Sequence, residues 1–343
     1  MNQAVPFTSA DTNLLHDGLR QVISNGASPG GVLACGTAGG DRTILSAGVI
    51  APETGEQAPD GDTVYDIASL TKVVATWPLV GRALDTDLLD LDAPARDFLP
   101  PMEGTAPSAD ATIRQLISHT SGLRASTRLD LYAGAQQPLH ELISREPLES
   151  APGAHQYINR GFILLGLALA HVHQRPLNDL ATDLWSELGM ADTSYGPLPS
   201  TPRIAPTEQR PGAQRLWGSV HDENAATMGG VAGHAGAFAP ASDLATYAEA
   251  LIGTHADARL GAWLRESMTA HAEIEPGLAR GLGWILASGN TVAYHHGFTG
   301  TSLYLAPATG RYIALTTNAV HNGPARTRIA PLRELILKTI TTT

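Results

Sequence analysis

Apolar residues recur at helical spacing between Asp11 and Asn25, at Leu14, Leu15, Leu19, Val22 and Ile23, and Gly26 suits the position just past a helix end. Two short apolar runs follow, Gly31 to Thr37 and Arg42 to Ile50, separated by Ala38-Gly39-Gly40-Asp41. That pattern predicts a β-hairpin. Beyond a loop rich in Pro, Gly and Asp, Thr63 to Ser69 reads as an extended lead into a helix through Val73, Val74 and Trp77 toward Leu84. Pro78 inside that helix predicts a kink or an early end, because proline has no N–H to donate.

From Leu88 to about Met228, helical patterns alternate with loops and no strand alternation interrupts them. The candidates are Ile113 to Ser118, Leu139 to Arg145, Asn159 to His173 and Leu177 to Leu188. Thr193 to Pro211 is rich in proline and polar residues and reads as an extended loop. Glycines crowd Met228 to Phe238, and a helix over Asp243 to Ile252 has Ser242 as its expected cap. Strand patterns return at Gly283 to Ala287, Val292 to His295, Thr301 to Ala306 and Tyr312 to Thr317, before a final amphipathic helix from Pro324 to Ile340. Strands at both ends with helices between predict one sheet assembled from the two termini, with a helical lobe inserted.

Composition narrows the partners. Charged residues make up 16% of the 343 and the formal net charge is -11, which argues against nucleic acid and anionic membrane surfaces as ligands. The longest apolar stretch, Phe162 to Ala170, is too short to span a bilayer, and the N-terminus shows no basic start followed by an apolar run. A cytoplasmic protein acting on small molecules is the expectation. The single cysteine, Cys35, excludes an intrachain disulfide, and its apolar neighbours favour a buried strand residue over a reactive thiol.

Chemistry concentrates in three short motifs. In Ser69-Leu70-Thr71-Lys72, residues three apart on a helix put a hydroxyl beside an amine, in a chain with only two lysines against 20 arginines. A desolvated lysine can lose its proton and act as a base, which arginine cannot. By itself the pattern fits a helix with an exposed lysine equally well. Tyr157-Ile158-Asn159 stands at a loop-to-helix junction, where a phenol could relay a proton and an amide could orient Lys72 or a substrate carbonyl. A partly buried tyrosine beside a helix start is the plainer alternative. His295-His296-Gly297-Phe298 runs from a strand into a turn. Only one of the two imidazoles can face a given cleft, and the glycine would let a substrate lie close, with a backbone N–H just after it as an oxyanion donor. No His/Cys cluster has metal-ligand spacing, so no metal and no other cofactor is expected.

Together and in this order, these stretches resemble the serine β-lactamase and penicillin-binding-protein superfamily, and within it the class C-like branch of esterases, D-aminopeptidases and transacylases. Ile113 to Leu123, Pro152 to Gly166, Val220 to Asn224, Gly229 to Phe238 and Gly297 to Leu303 look like further family signatures. The resemblance implies an α+β, β-lactamase-like fold with an antiparallel sheet flanked by helices. One catalytic domain would span 1–343, with an α/β lobe over about 1–68 and 240–343 and a helical lobe over about 69–239. It implies Ser69 as nucleophile, Lys72 as the activating amine and Tyr157 as partner in proton transfer, the last two titrating as a coupled pair. The oxyanion hole would be the backbone N–H groups of Ser69 and Phe298. Asn159, His295, His296 and Gly297 would bind substrate. His119 and His234 read as structural, and His221 and Asp222 stand between binding and structural roles.

One departure carries information. The family's third motif usually begins with a lysine that helps bind a substrate carboxylate, and a neutral imidazole at His295 would supply no fixed charge. An ester or activated carbonyl is therefore the expected acyl donor, with water or an amine or alcohol as acceptor. The alternatives are a D-aminopeptidase or amidase, a β-lactamase or DD-carboxypeptidase, and a non-catalytic binding or sensor protein on the same fold.

Overall fold

The computed structural model describes residues 4–253, 257–323 and 326–342. Helix α1 (Ser9–Ser24) opens on a capping box in which Thr8 and Asp11 satisfy each other's backbone N–H groups. The predicted hairpin follows as β1 (Gly30–Thr37) and β2 (Arg42–Gly48), paired antiparallel. Next come β3 (Val64–Asp66), a 3₁₀ turn at Ala68–Leu70, a wide π turn at Lys72–Thr76, and α2 (Trp77–Asp85). The middle of the chain folds into α3 (Ile113–Ile117), α4 (Leu139–Ser144), α5 (Asn159–His173) and α6 (Leu177–Glu187). It continues through β4 (Ser194–Tyr195), α7 (Glu223–Thr227), β5 (Ala237–Pro240), α8 (Ala241–Ile252) and α9 (Ala258–Ser267). The last third holds β6 (Ala272–Glu275), β7 (Leu278–Arg280), β8 (Ile285–Ala287), β9 (Val292–His296), β10 (Ser302–Ala306) and β11 (Arg311–Thr317). A 3₁₀ turn at Arg326–Ile329 then leads into α10 (Ala330–Thr341). The start expected for that helix at Pro324 lies outside the described residues.

Eight strands form one antiparallel sheet in the order β2-β1-β11-β10-β9-β8-β7-β6, so β1 from the N-terminus lies against β11 from the C-terminus. Alternation along β1 sorts its side chains between two cores. Leu33 and Cys35 join Leu15, Leu19, Ile313, Leu315 and Ile336 under α1 and α10. Val32 and Ala34 join the larger core with Leu303, Leu305, Ala314 and the buried faces of α2, α5, α6 and α8. Burial pushes the Cys35 thiol up to about 12, as befits a packed strand residue rather than a nucleophile. A small second sheet, β3-β5-β4, lies beside the nucleophile segment. Among the described residues no helix is long and apolar enough to cross a membrane.

Two local expectations need correcting. Pro78 does not end its helix, which runs on to Asp85. The backbone widens into the π turn just before it, and side chains take the carbonyls that the missing N–H would have reached. The Tyr247 hydroxyl donates to Val73 O (2.5 Å) and Trp185 Nε1 to Val74 O (3.0 Å). Ser242 is not a cap either. It lies inside α8, whose N-cap is Pro240, and its hydroxyl donates to Asp62 Oδ1 (3.0 Å).

Candidate active site

Ser69 stands on a bent segment held from both sides. Ala68 has φ 46°, a left-handed conformation that costs a non-glycine residue about 1 kcal/mol or more. The buried Asp66 carboxylate fixes that bend by accepting from Ala68 N (2.8 Å) through Oδ1 and from His221 N (2.8 Å) through Oδ2. Burial raises the Asp66 carboxyl above its ordinary value, and the two N–H donors oppose that rise. One turn on, the fully buried Lys72 reaches back with Nζ 3.0 Å from Ser69 Oγ and 3.0 Å from the carbonyl oxygen of His234. The π turn that begins at Lys72 lies where such distortions often serve a functional site.

The second motif packs over this amine. Lys72 Nζ lies 5.0 Å from the centre of the Tyr157 ring and 5.7 Å from that of Phe162. His119 holds the Tyr157 segment in place. Its ring sits 4.6 Å from the tyrosine ring, its Nδ1 accepts from Ile158 N (3.1 Å), and its carbonyl accepts from Gln156 N (2.9 Å). Tyr157 itself is 40% exposed and lines a cavity of about 580 Å³ that also takes in Ser69, Asn159, His295 and Phe298. Asn159 makes no hydrogen bond to Lys72. That task falls to the His234 carbonyl, and the buried Oδ1 of Asn159 lacks a hydrogen-bond partner.

The third motif ends β9. His295 faces the Tyr157 side, ring centres 6.2 Å apart, with Nδ1 3.0 Å from the His296 carbonyl oxygen and a buried Nε2 that has no partner. His296 turns to the other face of the sheet, where Nε2 lies 2.9 Å from the Tyr304 hydroxyl. It borders the cavity, and its ring packs with Tyr294 and Tyr304. Gly297, which borders the cavity, is also needed by the fold. A Cβ there would lie 2.4 Å from the Ile67 carbonyl oxygen and 2.0 Å from Thr301 Oγ1, so the glycine lets the turn close on the nucleophile segment itself. Thr299 Oγ1 to Asp66 O (2.6 Å) and Thr301 Oγ1 to Ile67 O (3.0 Å) clamp the two together.

The remaining wall is polar. Asp222 caps α7 through Ala225 N (2.8 Å) and lies 2.9 Å from His234 Nε2. Burial opposes its ionisation, but these donors hold its carboxyl below the ordinary range. Arg280, at the end of β7, is 2% exposed and lines the cavity. Its Nε donates to His155 Nε2 (3.3 Å), its buried Nη1 has no hydrogen-bond partner, and no carboxylate pairs with it among the described residues. Burial lowers the guanidinium to about 10, which leaves it charged at neutral pH.

Burial also holds His119 and His295 well below the ordinary histidine value of 6.5, and lowers His155 to about 4. Each binds a proton more readily in the unfolded chain. Stability therefore rises with pH through the window below 6.5 and is lost as pH falls from there. Thermal unfolding is expected at a lower temperature at pH 5 than at pH 7, with net uptake of more than one proton at pH 5, read from calorimetry in buffers of different ionisation enthalpy. Unfolding at pH 5 without proton uptake would mean that these rings are already charged in the native protein.

A family model described as Beta-lactamase matches residues 19–338. The chain belongs to the beta-lactamase family. It is 27% identical over 314 residues to a putative D-alanyl-D-alanine carboxypeptidase of Salmonella enteritidis PT4, covering 79% of this chain and 72% of the relative. Its fold is similar to that of a beta-lactamase/D-alanine carboxypeptidase from Pseudomonas syringae (TM-score 0.78, 20% identity, 96% and 99% of the two chains). It is also similar to EstCE1, a hydrolase with promiscuous acyltransferase activity (TM-score 0.74, 19% identity, 96% and 100%).

In this beta-lactamase-family chain the structure brings Ser69, Tyr157, Asn159, His295, Gly297 and Phe298 to one cavity, with the buried Lys72 against Ser69. His296 borders that cavity too, with its ring turned to Tyr294 and Tyr304. Sequence reasoning missed Arg280, which returns to the cleft the fixed positive charge that His295 cannot carry. It also missed Asp66, Thr299 and Thr301, which shape the nucleophile's segment. Asp66, three residues before the serine at the end of a strand, carried a usable signal in its capacity for an Asx turn. Arg280 carried none, being one arginine among 20.

Proposed function

We propose that this beta-lactamase-family hydrolase works through an acyl-enzyme on Ser69 and cleaves an ester or comparably activated carbonyl. The observation that carries the reading is the 3.0 Å contact between the fully buried Lys72 Nζ and Ser69 Oγ, under the ring of Tyr157. In the first step the Oγ–carbon bond forms while the serine proton passes to the Lys72/Tyr157 pair. The oxyanion accepts from the backbone N–H groups of Ser69 and Phe298. The bond to the leaving oxygen then breaks, and the pair returns the proton to the departing alcohol. In the second step water, an alcohol or an amine gives its proton to the same pair and attacks the acyl carbon, the bond to Oγ breaks, and the pair returns the proton to Ser69. Asn159 and His295 border the cavity in which the acyl group would lie.

The cavity mouth favours water as the ordinary acceptor, since Tyr157 and Phe298 at its edge are 40% and 37% exposed. With a p-nitrophenyl ester and graded amine, free acid is the expected main product, with an amide share that grows with amine concentration. Acid alone at every concentration would reject transfer to an acceptor other than water.

Arg280 favours a second reading. A buried cation without a counterion suits a substrate that brings a carboxylate, the chemistry of a carboxypeptidase such as the one for which the Salmonella relative is named.

A further inference from the structure

We propose that Arg333 is a positioning residue that aims the Phe298 N–H at the reacting carbonyl, an inference that rests on the acyl-enzyme reading above. Arg333, in the first turn of α10, reaches under the β9–β10 turn. Its Nη2 donates to Gly297 O (2.9 Å) and Thr301 O (3.0 Å), and its Nε to Ser302 Oγ (3.0 Å). The Gly297 carbonyl also accepts from Gly300 N (3.2 Å), so two donors hold it. The peptide joining Gly297 to Phe298 is trans and planar, so its C=O and N–H point in opposite directions. A carbonyl held by Arg333 and Gly300 sends the Phe298 N–H the other way across the peptide plane, and Phe298, Ser69 and Arg333 all border one cavity.

The threonine clamps fix how near this turn stands to Ser69, and Arg333 fixes how its first peptide is rotated. Arginine suits the task because its planar fork serves two carbonyls and a hydroxyl at once, where lysine offers a single nitrogen. Arg333 is in turn held from the sheet. The Tyr304 hydroxyl donates to its carbonyl (3.3 Å), and His296 Nε2 lies 2.9 Å from the Tyr304 oxygen. That chain gives the outward-facing His296 a place in the site: it steadies the arginine that steadies the peptide.

The test compares a p-nitrophenyl ester with its thionoester, because sulfur accepts hydrogen bonds poorly and a well-aimed oxyanion donor favours the oxygen substrate. The full chain is expected to prefer the oxygen ester in kcat/KM. Arg333→Ala and Arg333→Lys should each lower that preference about tenfold or more, chiefly through kcat, with KM within about threefold, since losing an oxyanion donor outright costs roughly 100- to 1000-fold. Added guanidinium ion should restore part of the preference in Arg333→Ala. If Arg333→Ala fails to fold, Arg333→Lys decides. A parallel loss on both substrates with the preference unchanged would mean that Arg333 only supports the fold, and would overturn the proposal. Failure of the reading beneath it looks different: turnover by the wild-type chain would then survive Ser69→Ala.

Discussion

Ser69→Ala should retain less than about one-thousandth of wild-type turnover of a p-nitrophenyl ester, and Lys72→Ala should fall comparably far, because a nucleophile and its base act as a unit. For the same reason the double variant should be no slower than the worse single one. Lys72→Arg should not rescue. A guanidinium stays protonated, and the space at Lys72 is closed by Ser69 Oγ, the His234 carbonyl and the rings of Tyr157 and Phe162. Loss of the buried Lys72 also leaves the His234 carbonyl without that donor, so melting temperatures must accompany the rates. Mass spectrometry of the wild-type protein quenched during turnover should find the acyl group on the peptide that contains Ser69. Robust activity in purified Ser69→Ala would remove the acyl-enzyme mechanism altogether.

What could be read from the residues follows the range of the physics involved. Ser69 and Lys72 had to lie within one helical turn, so their pairing was visible at a spacing of three. The hairpin at Gly31 to Ile50 was legible because its apolar runs and its turn are local. The strands over Val292 to Thr317 were legible for the same reason. β6 and β7 were not. Ala272–Glu275 carries two glutamates and Leu278–Arg280 is three residues long, so neither shows an apolar run, and their pairing depends on β8. α9 does carry the signal, with Leu260, Trp263 and Leu264 at helical spacing. Of the two outcomes expected at Pro78, the helix distorts just before it without ending, because the carbonyl acceptors it leaves unused are met by Trp185 and Tyr247, more than 100 residues away in sequence. His295 shows the same limit of local reading. Charge was counted along one motif, whereas the charge arrives on the neighbouring hairpin, at Arg280.

Arg280→Gln should separate substrates by charge. An aryl ester with a carboxylate on its leaving group is expected to lose about 100-fold in kcat/KM, and the uncharged aryl ester of similar reactivity less than about threefold. A hydrogen-bonded charge pair withdrawn from water accounts for a loss of that size, since breaking such a pair costs about 2–5 kcal/mol. The wild-type protein should already prefer the anionic ester, and added salt should weaken that preference little, because the pair would lie where ions do not screen it. Stability should move the other way or not at all. A cation that is 2% exposed, with no carboxylate partner and only the His155 hydrogen bond and the Tyr157 ring beside it, is poorly compensated for its desolvation, so Arg280→Met is expected to melt no lower than wild type. A lower melting temperature for Arg280→Met, with equal losses on both esters, would assign Arg280 to the packing around His155 and Tyr157. A selective loss confined to the anionic ester would mean that Arg280 pairs with the carboxylate of the substrate, and would favour the carboxypeptidase-like reading over a neutral ester.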